Sequence, residues 1–121
     1  MRLDLIPHPS SLSPCPETLS VEVERRGDRL WLRFVAEGDP DRIVWPSQAE
    51  PGRADDLWRH TCFEAFVGGE GGGYWEFNLS PSGQWASYRF DAYREGMRSW
   101  DGSSCWSRRC CSWRRYCWSW S

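Results

Sequence analysis

The fold is decided by the run YWEFNLSPSGQWASYRF, residues 74–90, in which two aromatic-rich segments flank a Pro-Ser-Gly sequence. Apolar and polar residues alternate in 74–80 and again from Gln84 onward, which is the period of a half-buried β-strand. Proline, serine and glycine at 81–83 favour a tight turn. The run therefore predicts two antiparallel strands joined by a turn.

Further strand patterns precede this hairpin. The segment LWRHTCFEAFV (57–67) predicts a strand, and GGEGGG (68–73) predicts the loop that joins it to the next strand. LSVEVE (19–24) and LWLRFV (30–35) predict another hairpin, and RIVW (42–45) a short strand. No long window has a helical period, so the sequence predicts an all-β fold, an antiparallel β-sandwich.

Composition narrows the classes of partner. The chain of 121 residues suits one domain, and residues 1–98 carry 11 Arg against 16 acidic residues, a net charge of −5. An acidic body is a poor partner for nucleic acid, because phosphate contacts are made chiefly by Arg and Lys. No apolar run approaches the ~20 residues of a membrane span, and Asp4 and Pro7 interrupt the start where a signal peptide is apolar. We expect a cytoplasmic protein with no membrane partner, in which Cys15 and Cys62 stay reduced.

The alternation of side chains along each strand predicts a core face and an outward face in the region 57–90. The predicted core set is Trp75, Phe77, Leu79, Ala86, Tyr88 and Phe90. The predicted outward set is Trp58, His60, Glu64, Tyr74, Glu76, Asn78, Trp85 and Arg89. Aromatic rings beside carboxylates, an amide and a guanidinium suit the ring faces and hydroxyls of a sugar. The alternative is an ordinary solvated face, or one whose tryptophans cover a second sheet.

Other chemistry has weaker support. His60 and Glu64 on one strand would be about 13 Å apart, too far to share a metal ion. The glycine-rich loop 68–73 lacks the Lys and Ser/Thr of a phosphate-binding loop, and no nucleophile elbow or carboxylate dyad is present. The sequence therefore predicts no enzyme, no metal and no cofactor.

The segments LWRHTCFEAFV, YWEFNLSPSGQWASY and RFDAYREGM, which lie within residues 57–97, resemble the bacterial DOMON-like proteins, which are related to family 9 carbohydrate-binding modules. LIPHP near the start and RIVWP at 42–46 extend this resemblance over residues 1–98. It implies a jelly-roll β-sandwich with a ligand-accepting face, on which Glu64 and Asn78 match motif positions. Relatives bind sugars, so the resemblance implies a non-catalytic, carbohydrate-binding-like module.

Two alternatives to sugar binding remain open. One is a structural or protein-interaction domain with no small ligand. The other is a haem-binding domain, as in other DOMON proteins, whose axial ligands would come from His8, His60 or Met97.

Residues 99–121, SWDGSSCWSRRCCSWRRYCWSWS, break the family pattern. We predict an irregular tail outside the fold, which leaves 1–98 as a partial domain that is incomplete at its C-terminus. Its four cysteines contain no Cys-x-x-Cys pair that would favour a metal site, and its Arg–Trp interleaving would suit a nucleic-acid arm. A frameshift in a GC-rich gene is the interpretation we favour, because it produces Trp, Cys, Arg and Ser without any function.

Overall fold

A computed structural model describes residues 1–12, 15–27 and 29–100, and the backbone of 109–111 and 116–120. The described strands are β1 (Arg2–Asp4), β2 (Thr18–Arg26), β3 (Arg29–Glu37), β4 (Gly52–Arg53), β5 (Phe63–Gly68), β6 (Tyr74–Leu79), β7 (Gln84–Phe90), β8 (Arg98–Ser99), β9 (Arg109–Cys111) and β10 (Tyr116–Trp120). The described helical elements are three short 3₁₀ turns, Pro40–Arg42, Leu57–Arg59 and Glu70–Gly72. Within these ranges no helix has the length and apolar character needed to span a membrane. The all-β prediction is confirmed, and the strands form two sheets, which is consistent with a β-sandwich.

The first sheet has the strand order β1-β2-β3-β10-β9 and belongs to one compact unit, Met1–Val44 with Cys105–Ser121. Its β2–β3 hairpin is the one that the alternating sequence predicts. Val21 lies opposite Phe34 and Val23 opposite Leu32, so these apolar side chains share one face. Gly27, at the turn, has a φ of 67°, a left-handed conformation that glycine adopts without a Cβ clash.

Three segments of the predicted tail differ from the predicted irregular structure. Ser99 ends β8, which pairs with β7, and the Trp100 N–H donates to the Ser87 carbonyl. The backbone of β10 pairs with β3, and β9 pairs with β10. A nine-residue β3 with β2 on one side alone would leave a row of N–H and C=O groups unpaired, and aromatic residues favour strands. The prediction of an irregular tail over 99–121 therefore does not describe these segments. The other tail residues lie outside the described part of the chain, and the frameshift stays a prediction.

The second sheet has the strand order β4-β7-β6-β5, with β8 beside β7, and belongs to the unit Trp45–Ser104. The predicted turn at 81–83 is confirmed: the Ser80 N–H donates to the Gln84 carbonyl at 2.9 Å. The glycine-rich loop is closed in the same way, by the Gly69 N–H donating to the Gly73 carbonyl at 2.7 Å. The sheet therefore has the predicted antiparallel order β5-β6-β7.

The predicted strand over 42–45 is absent, and the predicted strand over 57–67 is wrong in its first half. The strand predicted over 57–67 begins only at Phe63, because Leu57–Arg59 forms a 3₁₀ turn. Asp56 precedes it with a φ of 60°, and its carbonyl accepts from the Arg59 N–H at 3.1 Å. The segment 42–45 forms no strand; the Ile43 N–H closes the preceding turn on the Pro40 carbonyl.

The register between β6 and β7 overturns the predicted division of their side chains. Glu76 lies opposite Tyr88, and Leu79 lies opposite Trp85. Residues directly opposed in an antiparallel pair share a face. What we call the acidic face therefore carries Glu64, Phe66, Tyr74, Glu76, Asn78, Ala86, Tyr88 and Phe90. What we call the tryptophan face carries Phe63, Ala65, Val67, Trp75, Phe77, Leu79, Trp85, Ser87 and Arg89.

Candidate functional site

One half of the acidic face is covered by the chain segment that leads into β5. Ala54, Leu57 and Cys62 from that segment pack with Tyr74, Ala86, Tyr88 and Phe90. The rings of Tyr74 and Phe90 stack in parallel, with centroids 4.6 Å apart. We call this the covered half. Its aromatic rings pack against one another, and Tyr74, which is only half-buried, is the ring that a ligand could still contact.

A polar cluster joins this segment to β7. Arg53 donates two hydrogen bonds to Asp55, at 2.8 and 3.2 Å, and the Tyr88 hydroxyl donates to the same carboxylate at 2.8 Å. The bond from Arg53, followed by that from Tyr88, lowers the pKa of Asp55. Burial, reinforced by Asp55, raises the pKa of Tyr88 to about 12. Tyr88 is thus a neutral residue whose hydroxyl already has a partner.

The other half of the acidic face lies along β5 and the adjoining part of β6. We call it the open half, and it consists of Glu64, Phe66, Glu76 and Asn78. Glu64 lies opposite Asn78 and Phe66 lies opposite Glu76, so the side chains of each pair start about 5 Å apart. The Phe66 ring is 59% exposed although it is large and apolar. The open half therefore presents an aromatic surface flanked by two carboxylates.

The electrostatics of the open half are dominated by like charge. Partial burial, and then the nearby Glu76 carboxylate, raise the pKa of Glu64. Asn78 is fully buried, and its Nδ2 donates to Glu76 Oε1 at 3.1 Å. The Asn78 Oδ1 atom is also buried, and it has no hydrogen-bond partner among the residues that the structure describes. The site thus has surplus negative charge and an unused acceptor.

The structure separates the predicted site residues. It brings Glu64, Tyr74, Glu76 and Asn78 onto one face, as predicted, but it places two others on the opposite face. Trp85 and Arg89 lie on the tryptophan face, where the Arg89 guanidinium stands 4.4 Å from the centre of the Trp75 ring. Trp100 adds edge-on contacts to Trp75 and Phe77 on this face, at 6.4 and 6.2 Å between ring centres.

The 3₁₀ turn removes two more candidates from the predicted face. Trp58 is 56% exposed on the turn Leu57–Arg59, where Arg59 lies over its ring at 5.1 Å. His60 follows the turn and is exposed. Neither residue lies on a strand, so the alternation of side chains along a strand does not place them on the same face as Glu64.

Phe66 is the residue of the open half that the outward set omitted. It has the same strand parity as Glu64, and that parity is the sequence signal that could have found it. Its centroid lies 6.1 Å from that of Tyr74, which places both rings on the acidic face.

Cys62, at the edge of the covered half, should react slowly with alkylating reagents. Burial raises the pKa of its thiol to about 12, so little thiolate is present near neutral pH. We expect Cys62 in the folded chain to react with iodoacetamide roughly 50-fold more slowly than in urea, allowing for the greater nucleophilicity of a high-pKa thiolate. Peptide mapping by mass spectrometry after timed quenching would measure both rates. Equal rates in the two states would contradict the burial of this thiol.

Within the described residues, no group of three or more His, Cys, Asp or Glu side chains is placed to hold a metal ion. Two of the three candidate haem ligands, His60 and Met97, lie in the same compact unit, and both are exposed. Their positions supply no argument for a haem pocket. What the open half can do chemically is accept hydrogen bonds and stack against a flat or apolar ring.

Comparison of the chain with protein-family models, curated proteins and solved structures finds no match. The relationship to DOMON-like proteins and family 9 carbohydrate-binding modules therefore stays a prediction that rests on the quoted segments alone.

Proposed function

We propose that this protein is a non-catalytic ligand-binding module, and that the ligand is a carbohydrate bound on the open half of the acidic face. The observation that carries this proposal is the exposed Phe66 ring, which lies opposite Glu76 and two residues along β5 from Glu64. A sugar offers an apolar ring face for Phe66 and hydroxyl donors for the carboxylates. The quoted resemblance to sugar-binding modules agrees with this ligand class but does not carry the argument.

A protein-interaction domain is the second candidate, and one feature favours it. Among the described strands β5 pairs only with β6, so its other edge is open within the described residues. Phe66 and Val67 are both exposed on this strand, at 59% and 38%, and they lie on opposite faces. An added strand from a partner would use the backbone of β5 and both side chains.

Titration calorimetry of the full chain against neutral, acidic and amino oligosaccharides separates the two candidates. A carbohydrate that binds over Phe66 should lose about tenfold in affinity when Phe66→Ala removes the ring. Val67→Ala is the matched control, because it shortens an exposed side chain on the same strand but on the other face. Sugar binding that both variants weaken equally, or that neither weakens, would refute the open half as the site.

A further inference from the structure

The open half offers hydrogen-bond acceptors and almost no donors. Glu64 and Glu76 contribute carboxylates, and the amide group of Asn78 already uses its Nδ2 in the bond to Glu76. Arg89 is the one cationic residue in β5, β6 and β7, and it lies on the tryptophan face over Trp75. A ligand for this surface must therefore bring donors, and preferably positive charge.

Asn78 points to the same conclusion independently of the carboxylates. Its side chain is fully buried, and Glu76 fixes its orientation, because a flipped amide would set an oxygen against the Glu76 carboxylate. This orientation leaves Oδ1 as a buried acceptor without a partner in the described part of the chain, on the face that also carries Glu64 directly opposite. An unused buried acceptor destabilises the free protein, so a ligand that donates to it gains affinity.

The carboxylates of Glu64 and Glu76 also repel each other, because both are negatively charged. The raised pKa of Glu64 has burial as its first cause and Glu76 as its second. A cation placed between the two carboxylates would relieve this repulsion. Asn78 Oδ1 is closed to solvent in the free chain, so a ligand can reach it only when a neighbouring side chain moves; Glu64, which lies directly opposite Asn78, is exposed.

Phe66 decides which kind of cation fits. A calcium ion requires six to eight oxygen ligands, and an exposed aromatic ring contributes none. An organic ammonium group, in contrast, is attracted to the face of an aromatic ring, while the apolar carbons beside it pack on the same ring. Because Phe66 stands directly opposite Glu76, one ligand can contact both.

We propose that the ligand of the open half is an amino sugar with a free ammonium group. Its ammonium group bridges Glu64 and Glu76 and donates to Asn78 Oδ1, and its ring packs on Phe66. This inference rests on the proposed carbohydrate-binding function, and it specifies the sugar class.

Three β-1,4-linked tetrasaccharides that differ only at carbon 2 test the proposal. They are the tetramers of glucosamine, which carries an ammonium group, of N-acetylglucosamine, which carries an amide, and of glucose, which carries a hydroxyl. Titrated into the full chain at slightly acidic pH and low salt, the glucosamine tetramer should bind at least about tenfold more tightly than the other two. Its advantage should shrink as salt rises and as the pH is raised until the amine loses its proton.

Amino-acid substitutions test which residues produce the preference for the glucosamine tetramer. Glu64→Gln keeps the shape but removes one charge, and it should lower the affinity for the glucosamine tetramer about fivefold more than the affinity for the glucose tetramer. Glu70→Gln is the matched control, because Glu70 is an exposed carboxylate on the loop turn outside the open half. Phe66→Leu serves as a second variant and should weaken binding of all three tetramers. Thermal unfolding of each variant checks that it folds as the unaltered chain does.

Each contrary result has a distinct meaning. Equal binding of the glucosamine and glucose tetramers, or tightest binding of the acetylated one, overturns the amino-sugar inference and leaves the proposed carbohydrate function standing. Failure of all three to bind overturns both. Glu64-dependent binding of calcium chloride alone, or of a lysine peptide in place of the sugars, overturns the inference in favour of a metal site or a protein partner.

Discussion

Replacing Leu79 by alanine should lower the free energy of unfolding by about 3 kcal/mol. Leu79 has 0% of its side chain exposed, and it ends the central strand β6. Its cross-strand neighbours on the tryptophan face are Phe63 and Trp85. Removing three carbon atoms there deletes buried apolar surface and leaves a cavity that large, constrained rings refill poorly.

Urea denaturation of the full chain, followed by tryptophan fluorescence, measures this loss. Val67→Ala is the control, since Val67 lies on the same face but is 38% exposed on β5, and it should cost less than about 1 kcal/mol. A loss at Leu79 no larger than the loss at Val67 would show that the tryptophan face is not closely packed around β6.

Asn78→Asp should destabilise the protein by about 3 kcal/mol or more at neutral pH, although the two side chains have nearly the same shape. The substitution removes the donor to Glu76 and adds a third carboxyl beside Glu64 and Glu76 at a site closed to solvent. Burial and like charge must then raise the folded-state pKa of the new carboxyl above its unfolded value of about 3.9. The destabilisation is therefore full above that folded pKa and disappears as the pH falls through it.

Denaturation of the original chain and of the variant at a series of pH values checks both the magnitude and the sign. We expect the difference in stability to narrow between neutral pH and about pH 5. Gln84→Glu is the matched control: it makes the same chemical change in the same sheet, but Gln84 is only half-buried. A variant at Asn78 as stable as the original chain at neutral pH would mean that water reaches this side chain.

The order β5-β6-β7 and the turns that join these strands follow from local sequence, but the division of the sheet into faces does not. Three loop residues separate Ser80 from Gln84, so the register pairs residues of equal parity, such as Glu76 with Tyr88. The predicted core instead combined Phe77 with Tyr88, one residue out of register. A slip of one residue moves every side chain of a strand to the other face.

Hydrophobicity could not reveal this slip, because both faces of the sheet are partly apolar. Tyr88 and Phe90 are buried on the acidic face, and Leu79 is buried on the tryptophan face. When one face is polar throughout, its pattern fixes the register, but here each register gives a plausible core. The position of Glu64, Glu76 and Asn78 on one face was nevertheless predictable, because β5 and β6 were divided correctly.

The 3₁₀ turn at Leu57–Arg59 was missed for a different reason. Trp58, His60 and Cys62 alternate with Leu57, Arg59 and Thr61 in a way that is compatible with a strand. Asp56, with a φ of 60°, turns the chain instead and sends Leu57 into the core of the covered half. That backbone conformation costs energy for any residue with a Cβ, so local propensity does not predict it.

The cover of the acidic face and two residues of its open half, Glu64 and Phe66, belong to one continuous stretch of chain. Segment 54–62 packs over β7, and the same chain then becomes β5, which carries Glu64 and Phe66. Surface connections tolerate insertions far better than paired strands do. Lengthening or shortening this one connection would therefore change how much of the acidic face it covers, while the strands beneath keep their register.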